Sequence, residues 1–304
     1  MKPITKKLLL PHILLVILIS VIIFVPNGRE TTRVYHSFLV AVCLMEGLFL
    51  LAIVRDTQRI NGACGVICIV WLLLLAWELT TSVWNVAHPV LIPTPENVFD
   101  IFREQWKLLL MNVAYSMQLL AVGFTLGMVL ALILGLFAGW LPQIKAWAYP
   151  IANVLAPIPP IVISPYLVAL MPTFRSASVM VILLGVFWPT FLNTVNRVSG
   201  IEREIMDSAR MLQPNTKTMV FHILLPYLLP GVVAGLKTTL TTALLMLNFA
   251  ELMGATYGMG YYIQNSITYA NYTHAVAGII TIGVVVTILN FLVTQMQKSI
   301  IKWR

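Results

Sequence analysis

Eight stretches of this chain are apolar and long enough to lie in lipid, at about residues 8–25, 36–54, 63–83, 112–138, 147–171, 176–197, 227–249 and 275–297. Such spacing predicts an all-α polytopic membrane protein. The first two runs read as a hairpin, since a cleaved leader would have a shorter core and a small-residue exit. The fifth run carries Pro150, Pro157, Pro159, Pro160 and Pro165, so it predicts a span whose helix is broken. Freed backbone groups are tolerated at that depth only inside protein or beside a water-filled path. In the fourth run Gly123, Gly127, Gly135 and Gly139 recur at four-residue steps, which predicts a close helix–helix contact.

Two segments depart from this pattern. Residues 89–107 hold Pro89, Pro93 and Pro95 and then a short amphipathic helix. Glu96, Asp100, Arg103, Glu104 and Lys107 are predicted on one side, with Val98, Phe99, Phe102 and Trp106 on the other. Residues 200–226 contain Glu202, Arg203, Glu204, Asp207, Arg210 and Lys217, too many charges for lipid. Ile201, Ile205, Ser208, Ala209 and Leu212 recur at helical spacing and form an apolar, small-residue stripe. Pro214 predicts a helix end near Gln213, then a turn and a second short helix before Ile223. A water-exposed helix with an apolar stripe, and nothing in its own chain to bury it against, is expected to dock on another protein. Glu204, Asp207 and Arg210 would flank that stripe.

Composition narrows the class further. Hydrophobic residues make up 59% and charged residues 10%, and mean hydropathy is +0.90. No ordinary soluble domain has this balance. The net charge of +8 is explained by basic loops rather than by nucleic acid. With the N-terminus in the cytoplasm, fourteen Lys and Arg fall inside and five (Arg29, Arg33, Arg103, Lys107 and Arg175) outside. That bias predicts both termini, and the loop at 200–226, on the cytoplasmic side. Cys43, Cys64 and Cys68 lie in apolar runs and read as small packing residues.

Candidate chemistry is sparse. There is no Gly-x-x-x-x-Gly-Lys-Ser/Thr phosphate loop, and the five histidines lack zinc-like spacing. No nucleophile–base constellation stands out, so no catalytic residue or metal site is expected. One polar stripe does stand out: Lys237, Thr241, Leu244, Asn248 and Glu251 recur at four, three, four and three in the seventh run, beside Thr238 and Thr242. Charge near the bilayer centre costs at least about 2.5 kcal/mol, so this face should turn away from lipid. It reads either as a helix–helix hydrogen-bonding face or, with Pro159 and Pro160 of the broken span, as the wall of a translocation path. Glu46 and Glu78 read as structurally paired.

The residues at 207–226 resemble the EAA loop of ABC-importer permeases. Asp207-Ser208-Ala209 stands at Glu-Ala-Ala, Gln213 at the family's glycine, and Leu224-Leu225-Pro226 at the closing apolar-Leu-Pro. Other motifs resemble the nitrate/sulfonate/taurine branch in order: Trp77-Glu78-Leu79, Pro93-Thr94-Pro95 with Val98, Pro157-Ile158-Pro159-Pro160, Phe249-Ala250-Glu251-Leu252 and Gly258-Met259-Gly260. The resemblance covers roughly residues 77–304. It implies a type I ABC-importer permease core of about six spans, with residues 1–60 as an extra hairpin, 61–107 as first core span, prolyl loop and surface helix, and 108–304 as the main core.

By the same resemblance the chain is a transport subunit of the bacterial inner membrane, not an enzyme. Two copies would form the path. Separate ATPase subunits, which carry ATP and magnesium, would grip the coupling loop, and an extracytoplasmic binding protein would deliver the solute. A nitrate-, sulfonate- or taurine-type anion is the leading solute, with a thiamine precursor or riboflavin as alternatives. An ion-coupled secondary transporter, with Glu46, Glu78 or Glu251 as relay, would leave the docking loop without a purpose.

Overall fold

The computed structural model describes residues 2–26, 28–29, 35–55 and 60–300, which are helical throughout apart from turns and connecting loops. Of the charges counted above, Arg33, Arg59, Lys302 and Arg304 lie outside the described residues. The helices are α1 (Lys2–Phe24), α2 (Tyr35–Arg55), α3 (Ile60–Glu78), α4 (Pro95–Glu104), α5 (Trp106–Trp140), α6 (Pro142–Leu155), α7 (Pro160–Leu170), α8 (Phe174–Ser199), α9 (Arg203–Met211), α10 (Thr216–Thr218), α11 (Leu225–Leu252), α12 (Met259–Thr268) and α13 (Tyr272–Ile300). Wide π turns at Leu79–Val83 and Met219–Leu224 continue α3 and lead into α11. Among the described residues, six helical stretches are long and apolar enough to cross a membrane. The bent pair α6–α7 makes a seventh if it is one span, and the apolar part of α1 (Leu8–Phe24) is shorter than the others, against the eight passages expected.

The chain forms two compact units, one of residues 1–109 and 263–280, the other of 110–262 and 281–304. In the first, α1, α2 and α3 share one core in which Leu18, Phe38, Val42 and Trp71 are fully buried. The first two helices are therefore packed on α3. His12 of α1 and Glu46 of α2 approach to 3.3 Å, and His12 Nδ1 lies 2.8 Å from the Leu8 carbonyl. Pairing two polar groups between adjacent helices keeps both from facing lipid alone.

Helix α4 begins with proline in its first turn, where the missing N–H costs nothing. Val98 and Phe99 are buried as the pattern requires, and Phe99 stacks on Phe38 at 5.1 Å. Glu96 departs from the expected polar side: it is buried and accepts a hydrogen bond from Ser82 at 3.2 Å. Charge spacing along a short helix cannot register a polar partner brought in from another helix. Asp100 accepts from Arg103 at 2.7 Å and from Ser37 at 2.9 Å, and the Arg103 hydrogen bond holds its carboxyl below the usual aspartate range. Trp106 stays exposed.

In the second unit the glycines of α5 meet α8 directly. A Cβ added at Gly123 would lie 2.8 Å from Ile182, at Gly135 2.8 Å from Thr194, and at Gly139 2.6 Å from Val198. At Gly127 it would lie 2.9 Å from the Leu183 carbonyl oxygen, part of the backbone itself. The predicted close contact is thus made along some four turns. The prolyl span breaks at residues 156–159, where α6 and α7 meet at 97°. Helix α11 departs from expectation at its start. A single helical stretch runs from Thr216 to Leu252, through Pro226 and Pro230. The π turn just before Pro226 relieves the clash a proline ring makes with the preceding turn.

Candidate functional site

The loop at 200–226 folds as the charge pattern and Pro214 require. Helix α9 ends at Met211, and Gln213 takes φ +46°, the left-handed conformation that usually calls for glycine. Glutamine therefore takes, at a steric cost, a conformation that suits glycine best. After it, Asn215 caps the next helical stretch by accepting from the Thr218 N–H at 2.7 Å. On α9 the Ser208 hydroxyl donates to the Glu204 carbonyl at 2.7 Å, and Asp207 pairs with Arg210 at 3.7 Å on the exposed surface. The Arg210 guanidinium lies over the Trp140 ring at 5.5 Å.

The apolar stripe of α9 is divided in two, which corrects the expectation that its own chain leaves it uncovered. Ala209 is buried, and Ile201 and Met206 pack with it against Leu136, Val198, Met219, Leu224 and Leu228. A small cleft of about 80 Å³ remains under the helix, lined in part by Ile205, Ile223 and Tyr227. Outward face Leu212, 77% exposed, and Met211, 85% exposed, with Ile205 at 39%. Glu204, Asp207, Ser208 and Arg210 surround them, all exposed. Two large apolar side chains presented together at the tip of a charged helix suit a protein partner. Met211 lies off the stripe and was not singled out from the sequence; only its place at the last turn, beside Leu212, could have flagged it.

The polar stripe of α11 is also divided. Lys237 and Thr241 are exposed, and the Thr241 hydroxyl donates to the Lys237 carbonyl at 2.9 Å. Leu244 is buried against α5 and α8 with Leu240, Ala243 and Leu247. Asn248 is half-buried and donates to the Leu244 carbonyl at 3.0 Å. Glu251 is 1% exposed. Thus the face turns inward along its length, and only its first two turns are open. Pro159 is exposed at the α6–α7 break, and Pro160, at the start of α7, is buried.

Glu251 sits in a polar clamp that sequence reasoning did not assemble. Its Oε1 accepts from the Ser116 hydroxyl at 2.6 Å and its Oε2 from the Gly260 N–H at 2.7 Å. Ser116 in turn accepts from the Met259 N–H at 2.9 Å, and Asn112 Oδ1 from the Gly258 N–H at 2.8 Å. Three successive N–H groups at the start of α12 are therefore satisfied by side chains of α5 and α11. A carboxylate at a helix N-terminus is also favoured by the helix dipole. Gly258, at φ +121°, and Gly260 leave the space that the carboxylate fills. Asn112 and Ser116 lie four residues apart at the start of an apolar run, which is the signal that could have marked them.

Residues 109–303 match the family described as "Binding-protein-dependent transport system inner membrane component". The aliphatic sulfonates transport permease SsuC of Bacillus subtilis (described as putative) is 28% identical over 86% of this chain and 88% of its own length. The nitrate import permease NrtB of Leptolyngbya laminosa is 26% identical over 76% and 85%. The taurine permease TauC of Escherichia coli is 22% identical over 82% and 90%. A chain of the inward-facing MetNI methionine ABC transporter shares the fold, with a TM-score of 0.51 at 18% identity, over 64% of this chain and 97% of that one. The chain belongs to the binding-protein-dependent inner-membrane transport components: it is the multi-pass permease of an ABC importer, a transport subunit that works with ATPase and solute-binding partners.

Proposed function

We propose that this permease imports a small oxoanion of the nitrate, sulfonate or taurine type. The observation that carries the reading is Lys237, an exposed cation on a helix whose preceding turns are apolar, one turn before the exposed Thr241. An ammonium so placed attracts an anion and repels a cation. The printed names of the similar permeases, for aliphatic sulfonates, nitrate and taurine, support the same class.

Two copies of the chain enclose the path, with Lys237, Thr241 and Asn248 along it and the α6–α7 break at Pro159 and Pro160 beside it. Glu251 serves the path by shaping the loop before α12. Helix α9 faces the cytoplasm, as do both termini. Leu212, Ile205 and the exposed side chains of Glu204, Asp207, Ser208 and Arg210 meet the ATPase, with Ile201 and Ala209 holding the helix from beneath. ATP and magnesium bind that partner and not this chain. Closure of the ATPase pair moves α9, and the path switches between inward- and outward-facing states while the solute is chemically unchanged.

The test is a ligand screen of the cognate binding protein followed by uptake in proteoliposomes holding permease, ATPase and binding protein. Taurine, alkanesulfonates and nitrate are set against riboflavin and a thiamine-precursor pyrimidine. Anion uptake that falls at least tenfold in Lys237→Ala, with unchanged co-purification of the ATPase, is the expected result. Uptake of only the uncharged compounds would overturn the reading.

A further inference from the structure

The second unit contains one more cation with an unusual setting, at the end of α8 opposite the docking helix. Arg175 lies in the first turn of α8 and is exposed. Its Nη2 donates to Gln118 Oε1 at 3.2 Å, and its guanidinium carbon lies 6.0 Å from the centroid of the Tyr115 ring. Tyr115 packs against Tyr257, 6.0 Å between centroids at 53°, and Tyr257 is 49% exposed. An amide oxygen and the Tyr115 ring, itself backed by Tyr257, thus hold the guanidinium in place without neutralising it.

The acidic residues of this unit can be accounted for one by one. They are Glu202, Glu204, Asp207 and Glu251. The first three lie beyond the far end of α8, whose 26 residues span about 39 Å at 1.5 Å per residue and which carries Arg175 in its first turn. The fourth is buried in its clamp with both oxygens occupied. Among the described residues, no carboxylate pairs with Arg175. A guanidinium presents planar paired donors that match an oxoanion better than an ammonium does.

The cluster is also built to hold its shape. Thr173 and Ser176 form a reciprocal cap at the start of α8, which fixes the turn that carries Arg175. Tyr257 precedes Gly258, whose N–H is held by Asn112, three residues before Tyr115 on the same helix. Gly254, at φ +141°, brings the loop to the Phe174 ring. Lys237 lies fifteen residues before Leu252 on α11, about 22 Å along the helix.

We propose that Arg175, backed by Tyr115 and Gln118 and flanked by Tyr257, is an anion-binding station at the outer end of the permease core, taking the oxoanion from the binding protein before it reaches Lys237. The proposal rests on the oxoanion reading given above. It assigns separate positions to capture and passage.

The experiment uses the complete importer in proteoliposomes, with labelled taurine, methanesulfonate and nitrate as probes. Arg175→Gln is expected to lower anion uptake at least tenfold, Arg175→Lys less, and Tyr257→Phe a few-fold. Each should retain normal ATPase co-purification and capture of the unloaded binding protein. If the wild-type importer carries none of these anions, the oxoanion reading fails and the station with it. If the wild type carries one and Arg175→Gln matches its rate, the reading stands and the station is refuted. Equal loss of capture for loaded and unloaded binding protein would also refute it, making Arg175 a protein contact.

Discussion

Leu212 offers the sharpest test of how this permease meets its ATPase. It projects 77% exposed from the last turn of α9, beside Met211 at 85%. In the isolated permease, changing an exposed residue alters stability by no more than about 0.5 kcal/mol. Burying a leucine fully contributes about 1.5–3 kcal/mol. With three quarters of the side chain still open, docking would gain about 1–2 kcal/mol from it. Leu212→Ala should therefore weaken ATPase binding about 5- to 30-fold, at about 1.4 kcal/mol per factor of ten. Leu212→Asp must also dehydrate a carboxylate and should exceed a hundredfold loss, on the order of 3 kcal/mol or more.

The assay is biolayer interferometry of the purified ATPase over permease in nanodiscs, with thermal unfolding of the permease measured alongside. Unchanged affinity for Leu212→Asp would refute the docking role of this tip. The choice of residue matters. Ala209 lies on the same stripe, but it is 8% exposed and packed on Leu136, Val198, Met219 and Leu224. Ala209→Glu would place a charge in that cluster and melt the permease earlier by itself, so its effect on binding could not be read as docking.

Three further outcomes follow from the geometry. Gln213→Gly should stabilise the loop by up to about 1 kcal/mol, because a left-handed non-glycine costs about 1–2 kcal/mol and glycine's greater unfolded freedom returns part of it; a lower melting temperature would contradict this. Gly127→Ala should destabilise the α5–α8 contact by about 1–3 kcal/mol, since its methyl would meet the Leu183 carbonyl oxygen, which a rotamer change cannot move; thermal unfolding in detergent reports it. Glu251→Ala should strand the Gly260 N–H and the Ser116 hydroxyl and cost about 1–3 kcal/mol or more. Faster hydrogen exchange at residues 258–260 is the local sign, and unchanged protection there would refute the clamp.

By itself the sequence determined everything that depends on neighbours along the chain. Runs of apolar residues gave the passages, the glycine steps at 123–139 the tight face of α5, the prolines at 157–160 the break, and the charges at 202–217 a loop that must meet water or protein. Tertiary structure decided which polar groups find each other. Glu96 turned out buried with Ser82, the stripe of α9 split between its own bundle and the outside, and Glu251 withdrew from an open face into a clamp with Ser116 and Gly260. Helical periodicity places a side chain on a face, but only the helices packed against that face set whether it meets lipid, a partner or another buried dipole. A hydrogen bond between residues 135 positions apart, as between Ser116 and Glu251, leaves no periodic trace in the sequence.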